Sequence, residues 1–196
     1  MKNIVLTGIG GQGTVLAAKV LAQAAQNRGW QVRTAETIGM AQRGGSVVSH
    51  VRMGDRGERV HAPLVSNAQA DALIAFEPGE GARMECLLAP DGVLVSASCV
   101  VQPVTASLSK SVYAADPVLA ALRAREGRTV IVDEVPILAE AGSSKVLNMA
   151  LLAAAVETGA LGITLDELKD AVRACVKPRF VDMNIAAIDM AVASMA

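Results

Sequence analysis

The 196-residue sequence predicts an α/β fold in which helices flank a mostly parallel sheet. Short apolar runs alternate along the chain with segments of helical periodicity, which is the pattern of parallel strands connected by helices. The first run, residues 3–7, leads into a glycine-rich turn and then into a helical segment at 14–28. Apolar residues make up 52% of the chain and aromatic residues 2%, so small aliphatic side chains would let helices pack closely on such a sheet.

The first elements follow a strand–turn–helix–strand order. After the helix at 14–28, a second strand is expected at 31–36, and this order makes the fold Rossmann-like. Residues 46–52 alternate in polarity like a half-buried strand, and a turn separates them from a returning apolar segment at 59–65. We therefore predict a β-hairpin excursion from the sheet near 46–65.

The α/β alternation then resumes and gives way to a helical C-terminal third. Further strands are predicted at 72–76, 93–97 and 129–133, with helices at 79–89 and 116–126. From residue 136 onward the pattern is helical, and Thr164 and Glu167 have the spacing of a capping box that opens a helix. A last helix is predicted at 182–194. No repeat or low-complexity linker interrupts the pattern, so we expect a single domain over residues 1–196.

Composition and cysteine spacing exclude several classes of function. A net charge of -1, with one tryptophan, one tyrosine and two phenylalanines, provides neither the basic surface nor the stacking rings of a nucleic-acid-binding protein. Cys86, Cys99 and Cys175 are too far apart for a zinc or iron–sulfur motif and are typical of a reducing compartment. The longest later apolar stretch, 146–156, is too short to span a membrane. We therefore expect a cytoplasmic protein that binds neither nucleic acid nor membrane.

No residue of this chain is predicted to be catalytic or to bind a metal. His50 and His61 would lie on facing strands of the predicted hairpin, but two histidines without a third ligand make a weak metal site. The sequence contains no G-x-S-x-G or H-E-x-x-H motif.

The turn after the first strand fits the G-x-G-x-x-G phosphate-binding pattern. Within it, Gly8 is expected to take a positive φ, Gly10 to let backbone approach a ligand, and Gly13 to let the helix pack closely on the strand. Free N–H groups at the start of the following helix would favour a phosphate. The candidate ligand-binding residues are Gly8, Gly10, Gly11, Gln12 and Gly13.

Three interpretations of this turn stay open. Glu36 lies near the position where dinucleotide enzymes place an acid for the ribose, which favours a stand-alone NAD(P)-binding protein. A related possibility is a module that binds coenzyme A or another phosphate. The additional Gly11 and the polar Gln12 favour instead a turn that serves close packing and a contact with another protein.

The segment ETIGMAQRGGSVVSHVR, residues 36–52, is the least generic part of the chain. It combines glycines, a flexible thioether and Arg43, whose guanidinium group can bind a carboxylate or phosphate through two hydrogen bonds. A solvated basic loop is the alternative. We expect an interface with a partner or its active site, formed by Gly39, Met40, Gln42, Arg43, Gly44 and Gly45.

Together, the GIGGQG turn and the GMAQRGGSVVSHVR segment resemble the gamma-type subunit or domain of 2-oxoacid:ferredoxin oxidoreductases. The likeness continues through ADALIAFEP at 70–78, the stretch at 142–152, and KPRFVDMNIAAID at 177–189, so it covers nearly the whole chain. Met40-Ala41-Gln42 points to the indolepyruvate type within this family. Relatives often carry Gly-Asn-Pro where this chain has Gly-Ser-Ser at 142–144, which alters a helix start.

The resemblance implies a role in an enzyme of the EC 1.2.7 type. Such a complex converts an aryl 2-oxoacid, coenzyme A and oxidised ferredoxin into an acyl-CoA, carbon dioxide and reduced ferredoxin. It also implies that thiamine diphosphate, magnesium and iron–sulfur clusters lie on a larger partner subunit, so the isolated chain would bind none of them and would be inactive. An uncovered partner-binding surface would favour a homodimer when the chain is alone.

Overall fold

The computed structural model describes residues 1–38, 44–102 and 113–195. These residues form a sheet of six strands in the order β2-β3-β1-β4-β5-β6. The strands are β1 (Lys2–Ile9), β2 (Gln31–Ile38), β3 (Ser46–Gly54), β4 (Ala70–Ala75), β5 (Leu88–Ala97) and β6 (Thr129–Val132). β3 is antiparallel to both of its neighbours, whereas β1, β4, β5 and β6 are successively parallel. The predicted α/β class with a mostly parallel sheet is confirmed.

The predicted hairpin is wrong in its second strand and in its position. β3 lies inside the sheet, where Val51 is opposite Ile4 of β1 on one side and Thr34 of β2 on the other. Residues 59–65 form no strand. They cover one face of the sheet instead, and the Val65 N–H donates to Nδ1 of the buried His50 at 3.3 Å. The alternation at 46–52 shows that a strand forms, but it does not show which strands pair with it.

Seven α-helices lie among the described residues. They are α1 (Thr14–Asn27), α2 (Pro78–Met84), α3 (Ala115–Ala124), α4 (Val135–Ala141), α5 (Leu147–Glu157), α6 (Leu165–Cys175) and α7 (Val181–Ala193). α1 and α4 to α7 cover the sheet face that carries Ile4 and Leu6. α2 and α3 cover the opposite face, where Val5 packs with Leu94 and Leu122. The predicted helical C-terminal third is confirmed.

α5 is the central helix of the larger layer. Its side chains are buried from Leu147 to Val156, because the sheet, α1 and α7 surround it. Such a helix is apolar on every side rather than amphipathic. Within the described ranges, no single helix is long and apolar enough to span a membrane; one bent pair, Val135–Ala141 with Ser144–Glu157, meets the length and composition test.

Candidate functional site

The glycine turn connects the end of β1 to the start of α1, but its glycines are needed for reasons other than those expected. Positive φ angles occur at Gly11 (105°) and Gly13 (84°), so the prediction of a positive φ at Gly8 is wrong. Glycine is required at position 8 because a side chain would not fit there. A Cβ atom there would lie 2.7 Å from Oε1 of Gln12 and 3.0 Å from Cβ of Phe76.

Gln12 closes the turn with its own side chain. Its Oε1 accepts a hydrogen bond from the Ile9 N–H at 2.7 Å, and its Nε2 donates to the Phe76 carbonyl at 2.9 Å. Gln12 therefore links the end of β1 to the residue that follows β4. The Ile9 N–H is therefore already hydrogen-bonded and is not available to a bound phosphate.

Gly13 brings the turn against α5 rather than against β1. A Cβ atom at Gly13 would lie 2.6 Å from Nδ2 of Asn148. The same Nδ2 donates to the Gly13 carbonyl at 3.3 Å. The expected close helix–strand contact at Gly13 is thus replaced by a contact with the helical C-terminal third.

Glu36 is separated from β1 by one strand, and it lines a shallow cleft with Val15 of α1. It is on β2, opposite Ser49 of β3, and Ser49 is in turn opposite Leu6 of β1. In a dinucleotide-binding fold the acid-bearing strand is the direct neighbour of the first strand. Here the antiparallel β3 is inserted between them, which places the two strands about 10 Å apart, or two strand spacings.

The two sequence motifs meet at the carboxyl edge of the parallel strands. The Gly10 N–H donates to the Gly45 carbonyl at 2.9 Å, and Ile9 is opposite Ser46 where β3 begins. Of the six residues expected at an interface, Gly44 and Gly45 are described and lie at this edge, with Gly44 exposed. The others, Gly39, Met40, Gln42 and Arg43, lie outside the described residues.

A cavity of about 650 Å³ opens beside this junction. The ends of parallel strands are the usual position of ligand and active sites in open α/β sheets. The residues that line it are Ile9, Gly44, Gly45, Ser46, Glu77, Gly79, Glu80, Ala82, Arg83, Val101, Gln102, Tyr113 and Val118. We call it the edge cavity.

Two carboxylates that the sequence reasoning missed anchor the walls of the edge cavity. Glu77 is 2% exposed and accepts hydrogen bonds from the Glu80 N–H and from Oη of Tyr113, each at 2.9 Å. Glu80 accepts from Oγ of Ser46 and from Nη1 of Arg83, the latter at 3.1 Å. The short helix α2 and its N-cap residue Glu77 thereby hold the start of β3 and Tyr113, which lies two residues before α3.

A signal for these carboxylates was present in the sequence. They follow directly after an apolar strand, at the edge where side chains of parallel strands converge.

The pKa of Tyr113 is raised, mainly because the phenol is buried and also because it lies beside the Glu77 carboxylate. The phenol is therefore a hydrogen-bond donor throughout the neutral pH range.

A third buried carboxylate, Glu134, organises the neighbouring edge after β6. It accepts hydrogen bonds from the Ser98 N–H at 2.8 Å, the Ser98 Oγ at 2.9 Å and the Cys99 N–H at 2.8 Å. Burial and the Glu134 charge raise the pKa of the Cys99 thiol, so this cysteine is not activated as a thiolate. Among the described residues, no group of three or more histidine, cysteine, aspartate or glutamate side chains is arranged to hold a metal ion.

The fold and the edge cavity define a Rossmann-like α/β protein. Its glycine turn is closed by the Gln12 side chain and is hydrogen-bonded to a second glycine-rich segment. A family model described as pyruvate ferredoxin/flavodoxin oxidoreductase matches residues 3–194, and the chain belongs to this family. The resemblance drawn from the motifs is confirmed.

Relatives agree with this assignment over almost the whole chain. The indolepyruvate oxidoreductase subunit IorB of Pyrococcus horikoshii is 33% identical over 192 residues, which cover 97% of this chain and 94% of that subunit. The expectation of a subunit of an oxidoreductase complex is thereby confirmed.

Solved structures share the fold at lower identity. The gamma subunit of a keto/oxoacid ferredoxin oxidoreductase from Geobacter sulfurreducens has a TM-score of 0.69 at 23% identity, with 97% of this chain and 96% of that chain covered. A 2-oxoglutarate:ferredoxin oxidoreductase from Magnetococcus marinus has a TM-score of 0.73 at 18% identity. There the match covers 98% of this chain but 30% of the neighbour, so the same fold also occurs as part of a longer chain.

Proposed function

We propose that this chain is the small subunit of a cytoplasmic indolepyruvate-type 2-oxoacid:ferredoxin oxidoreductase. The complex would oxidatively decarboxylate an aryl 2-oxoacid to an acyl-CoA and carbon dioxide, with coenzyme A as co-substrate and ferredoxin as electron acceptor. The observation that carries this proposal is the 33% identity to an indolepyruvate oxidoreductase subunit over nearly the full length of both chains.

Thiamine diphosphate, magnesium and iron–sulfur clusters belong, in this proposal, to the larger partner subunit. The described residues of this chain do not fit a diphosphate–magnesium site. Glu77 and Glu80 are already engaged by Tyr113, Ser46 and Arg83, and the Ile9 N–H of the turn is engaged by Gln12. No chemical step is therefore assigned to a residue of this chain.

The contribution of this chain would be a shaped surface at the carboxyl edge of its sheet. The hydrogen bond from Gly10 to Gly45 holds the glycine turn against the second glycine-rich segment, and α2 holds the opposite wall of the edge cavity. Residues 39–45 would then face the active site of the partner, as expected for Gly39, Met40, Gln42, Arg43, Gly44 and Gly45.

The geometry gives little support to the alternative functions. A dinucleotide would need an acid on the strand next to β1, but β3 lies between β1 and the strand that carries Glu36. A phosphate or coenzyme A held by the turn alone would compete with the Gln12 side chain for the Ile9 N–H. Titration of the isolated chain with NAD(H) and NADP(H) in a calorimeter is expected to give no binding heat, and micromolar binding would restore the alternative.

The central experiment compares the isolated chain with the reconstituted complex. The isolated chain should not reduce ferredoxin with indolepyruvate and coenzyme A, whereas the complex with the larger subunit should. Turnover by the isolated chain would contradict the proposal, and so would a complex that assembles but uses no 2-oxoacid.

A matched pair of variants tests the role of the edge cavity. Ala82 is exposed at the cavity rim, and Ala124 is exposed at the end of α3, near the opposite edge of the sheet. Ala82→Glu is expected to weaken the affinity for the larger subunit by about tenfold, whereas Ala124→Glu should change it by less than about twofold. Equal effects of the two substitutions would argue against an interface at this edge.

A further inference from the structure

A second groove, of about 460 Å³, lies between the first turn of α1 and the segment that joins α6 to α7. It shares no lining residue with the edge cavity. We call it the basic groove; it is lined by Leu16, Lys145, Cys175, Val176, Lys177, Arg179, Phe180, Met183 and Asn184.

The floor of the basic groove is apolar and held in place. Leu16, Phe180 and Met183 are half-buried and pack against the main core. The backbone at Phe180 is fixed by Asn184, which is 5% exposed and whose Nδ2 donates to the Phe180 carbonyl at 2.7 Å. The floor therefore exists before any ligand binds.

The rim of the basic groove carries positive charge that none of the described carboxylates neutralises. Lys145, Lys177 and Arg179 are exposed, and within residues 1–38, 44–102 and 113–195 no carboxylate forms an ion pair with any of them. The nearby Asp182 is not paired with them either.

Some cations elsewhere in the chain are paired with carboxylates. Arg28 pairs with Glu167 and Arg173 pairs with Asp170. Arg179 instead stacks on the groove floor, with its guanidinium carbon 4.6 Å from the centre of the Phe180 ring. In a chain of net charge -1, three unpaired cations around an apolar floor form a local site for an anionic partner.

We propose that the basic groove docks an acidic segment of the larger partner subunit, and this inference rests on the proposed function. Carboxylates of that segment would face Lys145, Lys177 and Arg179, and one aliphatic or aromatic side chain would cover the floor. A small inorganic anion could neutralise the cations of the rim but would leave the apolar floor exposed to water. A peptide segment that carries both kinds of side chain covers both.

The first test reverses charge on the rim in the full chain and measures binding to the purified larger subunit. Lys177→Glu combined with Arg179→Glu is expected to raise the Kd by about tenfold or more and to flatten its dependence on salt. The matched control is Arg56→Glu combined with Arg59→Glu, two exposed residues in the segment after β3 at the opposite edge of the sheet, which should change the Kd by less than about twofold. Equal effects of the two double variants would overturn the proposal.

The second test needs no change to the groove. Cys175 lines it, whereas Cys86 and Cys99 are exposed elsewhere, so Cys86→Ser with Cys99→Ser leaves Cys175 as the single thiol. Saturation with the larger subunit should slow maleimide labelling of Cys175 by about tenfold or more. An unchanged rate in the saturated complex would overturn the proposal, as would equal slowing by pyrophosphate alone, which would identify a small-anion site.

These results separate the two proposals. If the unmodified chain fails to bind the larger subunit at all, the proposed function fails. If it binds and supports turnover, but rim reversal has no effect and Cys175 stays reactive, only the assignment of the basic groove fails.

Discussion

At the scale of single residues, Gln12 decides what the glycine turn can do. Its amide group satisfies one donor at the end of β1 and one acceptor directly after β4. Gln12→Ala removes both hydrogen bonds and should lower the free energy of unfolding by about 1–3 kcal/mol, because partly buried backbone groups lose their partners. Chemical denaturation measures this change.

The control for this prediction is Gln26→Ala. Gln26 is exposed on α1, and no hydrogen bond of its side chain is described. Its substitution should change the free energy of unfolding by less than about 0.5 kcal/mol. If Gln12→Ala is as harmless as Gln26→Ala, the turn is not closed by Gln12 and its Ile9 N–H is available to a ligand.

Tyr113 and Glu77 give a prediction with a defined pH dependence. Tyr113→Phe removes the hydroxyl that donates to the buried Glu77 and should cost about 1 kcal/mol of unfolding free energy at neutral pH. Because burial and Glu77 raise the pKa of Tyr113, the unfolded chain loses the phenol proton at a lower pH than the folded chain. The stabilisation is therefore complete below a pH of about 10 and decreases as the pH rises above that value.

Denaturation of wild type and Tyr113→Phe at neutral and alkaline pH checks this pattern. Tyr113 is the one tyrosine of the chain, so phenolate absorbance reports its titration directly. Equal stability at neutral pH, or a difference between the two proteins that grows with pH, would contradict the assigned hydrogen bond.

The sequence predicted the position of the glycine turn better than its internal structure. Residue types and order were enough to place Gly8 to Gly13 between a strand and a helix. They could not show that the Gln12 side chain would fold back onto Phe76, because that contact joins residues 64 positions apart. The partners of Glu77 and Glu80 could not be predicted for the same reason, since Tyr113 and Ser46 come from distant parts of the chain.

At the scale of secondary-structure elements, local sequence signals predicted helix starts correctly but did not predict which strands pair. The capping box at Thr164 and Glu167 was predicted from spacing and is present at the start of α6. The hairpin was wrong because the partners of β3 are fixed by burial on both faces of the sheet, which a short alternating run does not encode. β5 begins at Leu88, earlier than expected, because α2 ends at Met84 and a short 3₁₀ turn follows.

The capping box allows a prediction about α6 as a whole. Glu167 donates its backbone N–H to Oγ1 of Thr164 and accepts the Thr164 N–H at 2.7 Å, while its carboxylate also pairs with Arg28 of α1. Thr164→Ala should lower the free energy of unfolding by about 1 kcal/mol, whereas Thr164→Ser, which keeps the oxygen, should lose much less. Thermal unfolding followed by circular dichroism compares the two, and equal losses would show that the cap does not stabilise α6.

At the scale of the whole molecule, the glycine turn, the sheet and the helical C-terminal third are joined through α5. Asn148 at its start contacts Gly13, and its buried side chains belong to the same core as Ile4 and Leu6 of β1. We therefore expect residues 1–196 to behave as the single domain predicted from the sequence. Such a domain unfolds in one cooperative transition.

Leu152→Ala tests this expectation, because Leu152 is fully buried in α5 and the one tryptophan, Trp30, precedes β2 and packs against the same core. The cavity left in the core should lower the free energy of unfolding by about 2–5 kcal/mol, whereas Leu64→Ala, at a side chain that is 54% exposed, should change it little. In a single domain, the far-ultraviolet circular dichroism of the helices and the fluorescence of Trp30 should shift together by the same amount. A helical signal with two transitions, only one of which is seen in the fluorescence of Trp30, would show that the C-terminal third unfolds as a separate unit.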